Sequence, residues 1–141
     1  MQAVESKQEG NVTRAPTRWM LWTGWVLSAL PVLAMLFSAA MKFSHRSEVV
    51  EMFVGKFGYP ESTLFTLGVV ELACAVVFAI PRTAVLGAVL VSGYLGGAIA
   101  THLRVGDPFV PPLLLAVMAW GGLYLRDERL RELLPLRKGT S

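Results

Sequence analysis

The chain is 141 residues long, 54% hydrophobic and only 16% charged, with a mean hydropathy of +0.53. Soluble domains are roughly a quarter charged, and one this small has no core large enough to hide so much apolar surface; the same figures exclude disordered, collagen-like and disulfide-stapled chains. The net charge of +3 does not point to nucleic acid, because the basic residues flank apolar blocks instead of forming one patch, and the single Cys74 allows no internal disulfide.

Residues 1–17 mix Gln, Glu, Gly, Asn, Thr and Pro without apolar periodicity and read as a disordered tail. Trp19 to Met41 carries no charged side chain over 23 residues, and about 20 apolar residues at 1.5 Å rise cross a hydrocarbon core. Basic residues ahead of this run and the small Ser38 and Ala40 near its end resemble an export signal, but the run far exceeds a signal core. A retained first span is the expectation. The connection 42–61 keeps a helical pattern, with Val49, Val50, Phe53 and Phe57 on one side and Arg46, Glu48, Glu51 and Lys56 elsewhere. It predicts a short interfacial helix, capped by Ser47 and stopped by Gly58 and Pro60, lying as a lid over the bundle in preference to docking a partner.

Ser62 to Ile80 forms a second span interrupted only by Glu71, and Pro81, Arg82 and Thr83 link it tightly to a third, Thr83 to Thr101, with Thr83 as cap. Residues Thr101 to Pro108 read as the end of that helix: His102 and Arg104 suit the negative dipole end, and Gly106 suits a left-handed cap. Phe109 to Leu125 is a fourth span with Pro111 and Pro112 in its first turn, where a missing amide proton matters little. Arg126 to Arg137 alternates in sign and reads as a solvated helix within a basic tail, residues 127–141. Uniform apolar segments satisfy their own backbone in lipid only as helices, so the fold class is all-α: an antiparallel four-helix membrane bundle over residues 18–126.

Four spans put both termini on one side. That side carries nine basic residues, Lys7, Arg14, Arg18, Arg82, Arg126, Arg129, Arg131, Arg137 and Lys138, against four on the other, Lys42, Arg46, Lys56 and Arg104. Positive charge favours the cytoplasmic side, so both termini are expected there. Trp19, Trp22, Trp120 and Tyr124 would then lie in the inner aromatic belt.

Glu71 is the sharpest chemical signal, nine residues from either end of its span. A charge at that depth costs roughly 2.5 to 3.5 kcal/mol, so such groups face the bundle interior and are paired or protonated. Depth allows Ser28, Ser92, Tyr94 and Trp120 as partners, Tyr94 foremost. Either proton handling and ligand binding, or a neutral acid bonded to a neighbouring helix, explains it equally. Gly93 with Gly97, and Ser92 with Gly96, have the small-x3-small spacing that seats a neighbouring helix, a reading preferred over a glycine-lined ligand slot. His102, Arg104 and Asp107 form a polar mouth in which His102 moves protons or donates to a ligand, Arg104 holds an anion and Asp107 orients either; capping of the helix end is the plainer account. The ligand-binding or proton-handling candidates are therefore Glu71, Tyr94, His102, Arg104 and Asp107. His45, Glu48, Glu51, His102 and Asp107 lack metal-ligand spacing, so no metal is expected. Cys74 reads as core, and nucleophilic triads, phosphate loops and dinucleotide fingerprints are absent from the sequence.

The run Gly93-Tyr94-Leu95-Gly96-Gly97-Ala98-Ile99-Ala100-Thr101-His102-Leu103-Arg104, the later Gly121-Gly122-Leu123-Tyr124-Leu125-Arg126-Asp127, and Gly58-Tyr59-Pro60 before the Glu71 span resemble the DoxX-like family of small four-span bacterial membrane proteins. The resemblance covers residues 20 to 137. It implies an inner-membrane protein. The family takes its name from a subunit of an archaeal thiosulfate:quinone oxidoreductase, and other relatives look like partners in membrane oxidoreductase assemblies or assembly chaperones. The expectation is an accessory subunit of a quinone-linked assembly, with a membrane protein partner or a second copy of itself, quinone as the cofactor in view and no other. The alternatives are a proton-coupled small-molecule transporter and a structural, chaperone-like protein without catalysis.

Overall fold

A computed structural model describes residues 16–134; the expected tail over 1–15 and the end of the basic tail, 135–141, lie outside the described residues. Helix α1, Arg18–Phe43, is followed by a four-residue helix α2, Ser47–Val50, that runs directly into a π-helical turn, Glu51–Lys56. Then come α3, Ser62–Ala79, a 3-10 turn at Pro81–Thr83, α4, Ala84–Val105, α5, Val110–Arg126, and α6, Glu128–Leu133. No strand occurs among the described residues. The chain is an all-α membrane protein: α1, α3 and the Pro81–Val105 stretch are each long and apolar enough to cross a bilayer, and α5 is a shorter apolar helix of 17 residues.

The four long helices close a ring in which α1 packs on α3 and α5, and α4 packs on α3 and α5. They alternate in direction. Phe43 at the end of α1 meets Phe65 near the start of α3, with ring centroids 5.6 Å apart, and Arg126 at the end of α5 reaches Ser28 in the first half of α1. Lipid offers no hydrophobic drive for helix association, so close packing must supply it. The core accordingly mixes a few large side chains, Met35, Phe78, Leu95 and Leu123, with Ala75, Ala84, Ala88 and Ala119. Outward-facing Leu33, Phe65, Val89 and Val117 stay exposed, as a lipid-facing surface requires.

Four glycines bring a neighbour within 3 Å of an added Cβ, Gly68 against the Phe43 ring and three others on helix seams. A Cβ on Gly87 would stand 2.2 Å from the Phe78 Cα, one on Gly24 2.9 Å from the Gly122 carbonyl oxygen, and one on Gly122 2.6 Å from Ser28 Oγ. Around Gly93, Gly96 and Gly97, nothing lies within 4 Å of an added Cβ. Within this chain, then, none of these three seats a neighbouring helix directly, and spacing alone does not say which side of α4 meets a partner.

Two capping expectations change. Thr83 does not cap α4; its hydroxyl turns back to the Val77 carbonyl at 2.8 Å, closing the end of α3 instead. Ser47 is the first residue of α2, preceded by Arg46 without a side-chain cap. Gly58 and Gly106 adopt φ of 72° and 75°, the left-handed stops expected of them. The described part of the basic tail is not a freely solvated helix: Asp127 caps α6 by accepting the Arg129 and Leu130 amides, and Leu130 is buried against the core.

The Gly87 contact is with backbone that has no flexible end to move. Gly87→Ala should therefore destabilise the detergent-purified protein by about 1 to 3 kcal/mol, whereas Gly96→Ala should be neutral or stabilising by up to about 1 kcal/mol through helix propensity. Denaturation midpoints of the two variants beside wild type check both.

Candidate functional site

Lys42 is the last cation of α1, and its helix carries it inward against α3, where Gly68 lets the Phe43 ring come close. Its Nζ lies 2.7 Å from Glu71 Oε2, and each side chain is only 5% exposed. The ammonium also donates to Ser38 Oγ at 2.7 Å, and the Phe53 ring centroid is 5.1 Å from it. A carboxylate, a hydroxyl and an aromatic face thus surround the cation. Burying either charge alone costs several kcal/mol, and the strong attraction in a low-dielectric interior offsets that only when both are present and hydrogen-bonded. Such a pair is permitted inside lipid because each member makes the other tolerable.

The pair borders a cavity of about 580 Å3. Ser38 and Met41 of α1, Leu67 and Glu71 of α3, Tyr94 and His102 of α4, and Pro112 and Leu115 of α5 line it. The connection after α1 supplies one wall as well, through Val49, Met52, Phe53 and Phe57. There the backbone takes the wider π pattern, with the Phe57 amide donating to the Met52 carbonyl at 2.9 Å. Single π turns are frequent at functional sites.

Three ties hold this lid to the end of α4. Thr101 Oγ1 donates to the Gly97 carbonyl at 2.9 Å, so the Tyr59 hydroxyl must be the donor in its 2.7 Å bond to Thr101. Arg104 donates to the Phe57 carbonyl and stacks over the Tyr59 ring at 5.8 Å. Lys56 pairs with Asp107 at 2.7 Å. His102 packs on Phe57 with ring centroids 5.2 Å apart. Its Nδ1 lies 2.7 Å from the Ala98 carbonyl; since a carbonyl only accepts, Nδ1 is the donor in that bond.

Of the five residues expected to bind a ligand or handle protons, Glu71, Tyr94 and His102 line one cavity. Arg104 and Asp107 stand beside it and fasten the lid. Gly93 and Gly97 line the cavity, and Gly96 does not. Of the depth-matched partners of Glu71, Tyr94, the foremost expected, shares the cavity with it while Lys42 holds the carboxylate directly; the Trp120 indole instead donates to Ser92 at 2.7 Å, and Ser28 accepts from Arg126 at 3.0 Å. In the sequence Lys42 stands only as a charge flanking the first apolar run. The signal that identifies it is the requirement itself, because an intramembrane acid calls for a cation and lysine reaches inward on a long apolar stem.

No curated protein and no solved structure matches the chain. The model of the DoxX-like family matches residues 26–122, a range that takes in Lys42, Glu71, Tyr94, His102 and the whole lid. By that match, over more than half its length, the chain belongs to the DoxX-like family.

Proposed function

We propose that this protein is an accessory subunit of a quinone-linked membrane oxidoreductase assembly, and that the cavity receives the quinone head. The Lys42–Glu71 pair carries the reading. A quinone ring presents carbonyl oxygens, which only accept hydrogen bonds, and its reduced form presents hydroxyls, which also donate. An ammonium and a carboxylate 2.7 Å apart offer a donor and an acceptor at one point, so both oxidation states find a partner there. The remaining lining is mainly apolar, and the volume falls in the range of roughly 300 to 1,000 Å3 usual for small-molecule sites. Phe37 lines the cavity while 70% exposed on the bundle surface, a route for an isoprenoid tail toward lipid. Reduction of the ring takes two electrons from the partner complex and two protons. On this reading Glu71 takes up a proton and relays it to the ring oxygen, and His102 does the same at the lid end. Both termini are taken as cytoplasmic in a four-span inner-membrane arrangement. The burial of Lys42 strengthens the charge bias behind that assignment, leaving Arg46, Lys56 and Arg104 on the lid side against nine basic residues on the other.

Removing one member of the pair strands the other, so Glu71→Gln alone should destabilise by about 3 to 5 kcal/mol. The double variant Lys42→Met with Glu71→Gln removes both charges and should fold close to wild type. Protein purified gently from native membranes should then carry quinone in the wild type and several-fold less in the double variant, read by solvent extraction and chromatography. A folded double variant with undiminished quinone, or wild type with none, defeats the reading.

Topology is checked separately in a Cys74→Ala background. Ser47→Cys should react with a membrane-impermeant maleimide in intact cells, and Thr17→Cys only once the membrane is opened; the reverse pattern inverts the assignment.

A further inference from the structure

At the opposite end of the bundle from the lid, a second cavity of about 350 Å3 opens beside the junction of α5 and α6, bordered by Trp25, Pro81, Leu123, Arg126 and Arg129 together with Asp127 and Glu128. Arg126 is partly buried there. Its Nε donates to Ser28 Oγ at 3.0 Å, and its guanidinium stacks over Trp25, 4.4 Å from the ring centroid, with Phe78 at 5.7 Å. Stacking and the serine bond fix the plane of the fork, while its two Nη groups have no protein acceptor among the described residues. Neither nearby acid forms an ion pair with it. Asp127 is engaged in capping the Arg129 and Leu130 amides at 3.0 and 3.4 Å, and Glu128 faces Arg131 at 3.8 Å. Among the described residues no carboxylate lies within ion-pair distance of Arg126 or Arg129.

We propose that this pocket binds a phosphate-bearing anion, the headgroup of an anionic phospholipid. A fixed arginine fork with open N–H groups matches two phosphate oxygens at once, and Arg129, exposed at the rim, adds a second charge. The lipid source is favoured over free phosphate by what surrounds the fork. Trp19, Trp22 and Trp25 form an exposed stripe along α1 at spacings of three, 73%, 74% and 47% exposed, and lead up to the pocket wall. Exposed tryptophans mark headgroup depth, and basic pockets between membrane helices are where anionic headgroups dock. Such a lipid would neutralise Arg126 and reinforce the α1 to α5 contact that Arg126 makes through Ser28.

The test is the thermal stability of the delipidated full-length protein in neutral detergent, titrated with dioleoyl phosphatidylglycerol, with dioleoyl phosphatidylcholine, or with inorganic phosphate. Phosphatidylglycerol alone should raise the midpoint. Arg129→Gln, an exposed substitution that leaves the fold intact, should weaken its half-saturating concentration about fivefold, the effect of one interfacial cation. Arg126→Gln should do at least as much; should it fail to fold, Arg129→Gln decides alone. Equal protection by phosphatidylcholine, or unchanged phosphatidylglycerol affinity in Arg129→Gln, overturns the site. Equal protection by inorganic phosphate overturns the lipid as its occupant.

Discussion

One ion pair sets the terms for the rest of the bundle. Lys42 and Glu71 are both almost completely buried, and neither charge is tolerable there without the other. Their contact therefore fixes the register of α1 against α3: from the last turn of its own helix the lysine stem must reach a carboxylate in the middle of α3. Phe43, one residue on, fills the space over Gly68 that this register creates. The price of keeping two charges in an apolar bundle is a polar point that must be walled off from lipid, and the lid provides that wall with Phe53 over the ammonium.

The two ends of the bundle follow from opposite packing rules. Near the termini α1 and α5 meet through Gly24, Ser28 and Gly122, with backbone close to backbone and Arg126 fastened across the joint. Toward the lid the same two helices contribute Ser38 and Met41, and Pro112 and Leu115, to the rim of an open space. Tight contact at one end and cavity at the other means the helices are held at one end and spaced at the other. A covering element with its own polar ties, Tyr59 to Thr101 and Lys56 to Asp107, then stabilises the open end without filling it.

Much of this was legible in the sequence, and the reasons for the gaps are specific. Span limits follow from where apolar runs meet charges and prolines, so Ser62 to Ile80 was read for a helix that ends at Ala79. Glu71 stood out as the lone acid in such a run. Its partner did not, because matching residues by height assumes helix ends that align. Lys42 stands in the last turn of α1, next to the Phe43 ring that meets Phe65 and Gly68, and its long stem reaches from there to Glu71. The glycines show a related limit: small-x3-small spacing occurs at Gly93 and Gly97 and again at Gly24 and Ser28, yet within this chain only the second pair meets another helix closely. Spacing carries the period of a helix but not its rotation. The π turn left no readable mark, since the residues Glu51 to Lys56 fit an α pattern equally well and only the lid's closure over the cavity makes the wider turn useful.

The lid has a bearing on how the site exchanges its contents. Of the ties between it and the end of α4, the Lys56–Asp107 pair is at the polar margin, with Lys56 half exposed, and exposed pairs contribute at most about 1 kcal/mol. The buried contacts, Val49 and Phe57 against the bundle and Phe53 over Lys42, are few. Elements held by few apolar contacts open at lower free energy than the core around them. The ion pair is held differently, on two spanning helices whose positions depend on each other. The arrangement therefore combines a rigid polar point with a loosely fastened cover, which is what a site needs if its occupant must enter and leave while the charges that recognise it stay in place.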